Sequence, residues 1–135
     1  GDVASQAVAR VAKILFDAGC REISLGDTIG KGTPEKVAAM LDAVLEVVPA
    51  QKLAGHFHDT SGLALNNIEV SLEKGLRVFD AAAGGLGGCP YAPGAAGNVA
   101  TGAVVNRLHQ LGYQTGVDSE KLVVAEAFAR TLRSS

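Results

Sequence analysis

The turn sequence Asp27-Thr28-Ile29-Gly30 recurs, with one change, as Asp59-Thr60-Ser61-Gly62, 32 residues further on. Each copy follows a short apolar run and precedes a segment with helical apolar periodicity, so the echo marks a strand, turn and helix unit used twice. The repeat length matches one unit of a (β/α)8 barrel, in which about 250 residues give about 31 per strand and helix. A barrel is therefore favoured over an open doubly wound sheet.

The same periodicity runs through the whole chain. A first helix is expected over 5–18, with Val8, Val11, Ala12 and Leu15 inward and Gly19 as its left-handed stop. The next, 34–48, has Thr33 as N-cap, Pro34 at its first position and Glu35 near its positive end; Val37, Leu41, Val44, Leu45 and Val48 form its buried stripe. Further helices are expected over 63–74 (Leu65, Ile68 and Leu72 inward), over 99–111 (Val104, Val105, Leu108 and Leu111 inward), and from Ser119. The last has Asp118 as cap and Leu122, Ala125, Phe128 and Leu132 inward. Strands are expected over 21–25, 52–58 and 76–82. Strict alternation with short apolar strands argues for a parallel sheet with right-handed crossovers, whose functional residues gather at the carboxyl ends of the strands.

Composition narrows the partners. Leu, Ile, Val and Phe total 37 of 135 residues, above the level of about 20% below which disorder is the default. Twelve Lys and Arg against 14 Asp and Glu, with no basic cluster, leave no footprint for nucleic acid and no polybasic patch for a membrane surface. Residues 81–106 carry no charge, but seven glycines and two prolines make the stretch a loop for close backbone approach rather than a membrane span. Two cysteines at dissimilar sites make no disulfide framework, and the opening residues show no secretory or transit pattern. A reducing, cytoplasmic setting is expected.

The sharpest chemical feature is Gly55-His56-Phe57-His58-Asp59. In a strand His56 and His58 share one face, about 6.5 Å apart in rise, while Phe57 points into the helix layer. Two imidazoles so placed can share one divalent ion; the same pattern also fits one core and one surface histidine. Added oxygen ligands would favour Mg2+ or Mn2+, with Zn2+ or Co2+ as alternatives. Asp27 ends the preceding strand, where its carboxylate either faces the cavity or closes an Asx turn. Asp59 fits a capping or ligand-supporting role, and Asp80 falls within the third strand. Cys89 stands among glycines; a loop thiol can protonate a carbanion-like centre or act as a nucleophile, or be an incidental small residue. Asn98 fits a helix N-cap, and its amide oxygen could also complete a metal site. Cys20, next to a helix-stopping glycine, reads as incidental.

The run Gly85-Leu-Gly-Gly-Cys89-Pro-Tyr91-Ala-Pro-Gly94-Ala-Ala-Gly97-Asn98, with Glu22-Ile-Ser-Leu-Gly-Asp27-Thr-Ile-Gly30 and His56-Phe-His58-Asp-Thr60, resembles the hydroxymethylglutaryl-CoA lyase family. The cysteine loop is specific to that family. The His-x-His-Asp element is shared with related synthases and aldolases of the same barrel superfamily.

The resemblance implies the carboxyl-terminal portion of a (β/α)8 TIM barrel, about three parallel strands with covering helices, forming a partial catalytic domain over 1–135. It implies cleavage of 3-hydroxy-3-methylglutaryl-CoA to acetyl-CoA and acetoacetate with a divalent cation. His56, His58 and Asn98 match the metal ligands, Cys89 the catalytic thiol, Asp27 a carboxylate near the substrate, and Gly87, Gly88 and Tyr91 the substrate loop.

Two departures accompany the match. Gly102 stands where the family usually carries an acid, and nothing matches the aspartate ligand and arginine of the family's first barrel strand. Three strands cannot close a barrel, so activity is expected to need the amino-terminal half or an oligomeric partner. The alternatives are a related aldolase or acyl-CoA condensing synthase, or a truncated module that only binds a divalent ion.

Overall fold

In the computed structural model, which describes residues 2–87 and 96–132, the strands β1 (Ile23–Asp27), β2 (Leu53–Phe57) and β3 (Phe79–Asp80) form one parallel sheet in sequence order. The helices are α1 (Ser5–Asp17), α2 (Pro34–Leu45), α3 (Ala64–Glu73), α4 (Thr101–Gln110) and α5 (Ser119–Thr131). This is the α/β portion of a barrel that the repeat predicted. Among the described residues no helix is long and apolar enough to cross a membrane.

Register decides which residues share a face. Ile23 pairs with Leu53 and Asp27 with Phe57, so Ile23, Leu25, Leu53 and Phe57 all turn toward the helices. There they meet Val37, Leu41 and Val44 of α2, Ile68 and Leu72 of α3, and Val48 and Leu76 in the connections, all buried. Gly55 lies on that same face because a Cβ there would stand 2.8 Å from Phe57 and 2.9 Å from Phe79. Glycine lets the two rings close over the strand.

Local chemistry starts the helices as expected. Thr33 Oγ1 accepts from the Lys36 N–H, and Asp118 Oδ1 accepts from the N–H groups of Glu120 and Lys121. The Asp59 carboxylate accepts from Ala64 N at the head of α3.

Several expectations need correction. The third strand is two residues, not 76–82: only Phe79 and Asp80 pair with β2, while Leu76 N still bonds back to Ser71 O of α3 and Ala82 N turns to Val99 O. The first strand is shifted toward Asp27, and α2 ends at Leu45, short of Val48. α1 turns Ala9 and Ala12 inward and leaves Val11 and Leu15 exposed, since it packs mainly on α2 and only lightly against β1. Leu111, expected inward, is exposed at the end of α4. On α5 the buried residues are Glu126 and Ala129, while Phe128, 67% exposed, and Leu132 face outward. That helix meets α4 and the 3₁₀ turn Ala83–Gly85 through its small and acidic side.

Candidate metal centre

The side of the sheet away from the helices carries Ser24 and Gly26 from β1, Ala54 and His56 from β2, and Asp80 from β3. His58 follows β2 by one residue and continues that alternation. The two imidazoles meet edge to face with ring centroids 5.0 Å apart.

Each ring is held by its Nδ1. His58 is buried, and its Nδ1 donates to the Asp27 carbonyl at 3.0 Å. His56 Nδ1 donates to the Asp80 carboxylate at 2.5 Å. An acceptor at Nδ1 fixes the proton there and leaves Nε2 as a lone pair, the arrangement that metal-ligating histidines need.

Asn98 joins them through the backbone. It forms an isolated antiparallel bridge with His58, flanked by Asp59 N donating to Gly97 O at 3.0 Å and Val99 N donating to Phe57 O at 3.2 Å. The Asn98 amide donates through Nδ2 to Leu86 O at 3.3 Å. Its Oδ1 is buried and has no partner among the described residues. Buried amide oxygens are nearly always satisfied, so an orphan on the residue bridged to His58 fits a cation ligand. Two other buried oxygens lack a partner, Thr60 Oγ1 and Asn67 Oδ1. Among the described residues no group of three or more His, Cys, Asp or Glu converges on one point; the third candidate donor is an amide.

Asn98 is not the helix cap its position suggested. α4 begins at Thr101, with Ala100 in the cap position and no side-chain cap. Two glycines bring the strands of the loop stem together: a Cβ on Gly97 would overlap the Gly87 carbonyl, and one on Gly87 would stand 2.8 Å from Asn98 Nδ2.

The Asp27 carboxylate turns into its own loop, accepting from Lys31 N at 3.1 Å and Gly32 N at 2.7 Å. Its contact with the histidine pair runs through its carbonyl. Gly87 is described and exposed; Gly88, Cys89 and Tyr91 lie outside the described residues. Sequence reasoning gave Asp80 no role, and only the β2–β3 register reveals that it faces His56. Glu126, buried against the loop stem, carried no signal in the sequence.

A family profile described as HMGL-like matches residues 1–128. The mitochondrial hydroxymethylglutaryl-CoA lyase of Arabidopsis thaliana is 59% identical over 128 residues, covering 95% of this chain and 27% of that protein. The crystal structure of the HMG-CoA lyase from Brucella melitensis superposes with a TM-score of 0.97 at 64% identity, covering 100% of this chain and 48% of its own. An HMG-CoA lyase from Acinetobacter baumannii, solved in complex with coenzyme A and 3-methylmalate, gives a TM-score of 0.88 at 38% identity, over 99% of this chain and 43% of its own. The chain thus spans half or less of the length of these relatives. With a profile that runs through 128 of its 135 residues and takes in both histidines and Asn98, the chain belongs to the HMGL-like family.

Proposed function

We propose that residues 1–135 form the carboxyl-terminal part of a TIM-barrel lyase that cleaves 3-hydroxy-3-methylglutaryl-CoA to acetyl-CoA and acetoacetate. The observation that carries this reading is the pair of Nδ1-anchored histidines at the end of a parallel strand, with Asn98, whose oxygen has no partner among the described residues, bridged to His58 through the backbone, in a chain of this family. The lyase crystallised with coenzyme A supports an acyl-CoA substrate.

His56, His58 and Asn98 would hold a divalent cation, Mg2+ or Mn2+. Such an ion would lower the pKa of a tertiary hydroxyl, so that a base can take its proton as the carbon–carbon bond breaks. Asp27, through its carbonyl, and Asp80, through its carboxylate, keep the imidazoles in the tautomer with a free Nε2. The departing acetyl-CoA carbanion needs a proton, and the Cys89 thiol is assigned as its donor, with Gly87, Gly88 and Tyr91 assigned to the substrate on the resemblance of this run to the family's.

Three strands with free edges supply one part of a barrel wall, so turnover calls for the remaining strands, from an amino-terminal half or from another chain. The test is to assay acetyl-CoA and acetoacetate release from 3-hydroxy-3-methylglutaryl-CoA with Mg2+, with the barrel completed by the preceding half of a relative. Release that is lost in His58→Ala and Cys89→Ala is expected. Equal release by the Cys89→Ala protein overturns the assignment of the thiol, and no release by the completed wild type overturns the activity.

A further inference from the structure

The carboxylate of Glu126 is buried, and one of its oxygens serves two distant segments. Oε1 accepts from Gly102 N at 2.7 Å and from Gly84 N at 3.2 Å, while Oε2 accepts from Arg130 at 3.3 Å. Gly102 is the second residue of α4, a helix whose cap position offers no side chain, so the carboxylate of α5 satisfies one of its open N–H groups at its positive end. Gly84, at φ +66°, belongs to the 3₁₀ turn on the other side of the glycine-rich segment.

The two segments tied by Glu126 are the stems that meet at Asn98. Ala82 N donates to Val99 O and Thr101 N to Ala82 O, and Asn98 itself reaches back to Leu86. The aim of the Asn98 oxygen is therefore set by how these stems sit against each other. Gly102 is what admits the clamp: a Cβ there would stand 2.5 Å from Oε2 and 3.0 Å from Oε1 of Glu126. At the position where the resemblance leads one to expect an acid, this chain has a glycine, and the acid arrives from another helix.

We propose that Glu126 is a positioning residue, a clamp from α5 that replaces an acid at position 102 and holds the two loop stems so that Asn98 is aimed at the cation. The inference rests on the reading of His56, His58 and Asn98 as cation ligands. Its role is to accept two N–H bonds, so a glutamine, which retains one carbonyl oxygen, keeps it. The paired exchange Gly102→Glu with Glu126→Gly returns a carboxylate to the same space from the other backbone.

The test is Mn2+ titration of each folded variant, followed by the loss of the free-ion paramagnetic resonance signal. Glu126→Ala is expected to weaken Mn2+ binding about tenfold, with Glu126→Gln and the paired exchange both within about threefold of wild type. If wild type binds and His58→Ala abolishes binding, yet Glu126→Ala binds as wild type does, the clamp is overturned and the ligand reading stands. If wild type binds no Mn2+ saturably, the ligand reading falls and the clamp with it. Should Glu126→Ala fail to fold, the exchange decides: a folded exchange variant about tenfold weaker than wild type overturns the clamp.

Discussion

Asp80 of β3 accepts a 2.5 Å hydrogen bond from Nδ1 of His56 on β2, at the register position where the two residues stand opposite each other. The contact orients His56, a proposed ligand, more than it holds the fold, because the Asp80 side chain is 57% exposed and such pairs contribute about 0–1 kcal/mol.

Replacing Asp80 with alanine should therefore separate the two roles. Mn2+ binding is expected to weaken about tenfold, as for other residues that orient a ligand, while the denaturation midpoint without metal stays close to wild type. Isothermal titration and urea unfolding check the two parts.

Asn98→Ala should remove most of the metal-linked stability. Among the described residues its buried oxygen has no partner, so the substitution removes an unsatisfied acceptor together with the Nδ2 bond to Leu86 O. A ligand at 100 times its Kd stabilises a protein by about 2.7 kcal/mol. At the Mn2+ concentration that gives wild type this increment, the Asn98→Ala protein is expected to gain little, as read from urea unfolding with and without Mn2+.

Gly55→Ala tests the packing behind the histidines. The added methyl would press on the Phe57 and Phe79 rings, at 2.8 and 2.9 Å, on a strand buried on both faces. Overpacking of this kind costs about 1–3 kcal/mol. Urea unfolding should show it, and His58 should lose Mn2+ affinity as β2 shifts.

The free edge of β1 and the exposed Val11, Ile14 and Leu15 of α1 predict association of this chain in isolation. Its melting temperature is expected to rise with protein concentration, with oligomers in sedimentation velocity. A sharp, concentration-independent transition of a monomer contradicts this.

Much of the site could be read from parity alone. His56 and His58 share a face because strand residues alternate, and Phe57 turns to the core for the same reason. What parity does not carry is register, and the Asp80 contact depends on where β3 lies along β2. Asn98 resembles a cap in sequence, yet α4 starts three residues later and the bridge to His58 claims Asn98 first. α5 shows the limit most clearly. Its apolar residues suggested an inward Phe128, whereas the buried side is set by bonds from Glu126 to glycines 42 and 24 residues away, which no local pattern announces.

The most direct test of the cation site is Mn2+ titration of this chain beside a His56→Ala/His58→Ala/Asn98→Ala variant, with free Mn2+ read by paramagnetic resonance. A single saturable ion per wild-type chain, absent from a triple variant that keeps its circular dichroism, is the predicted result. Equal binding by the two proteins, or none by wild type, contradicts the assignment of these three residues.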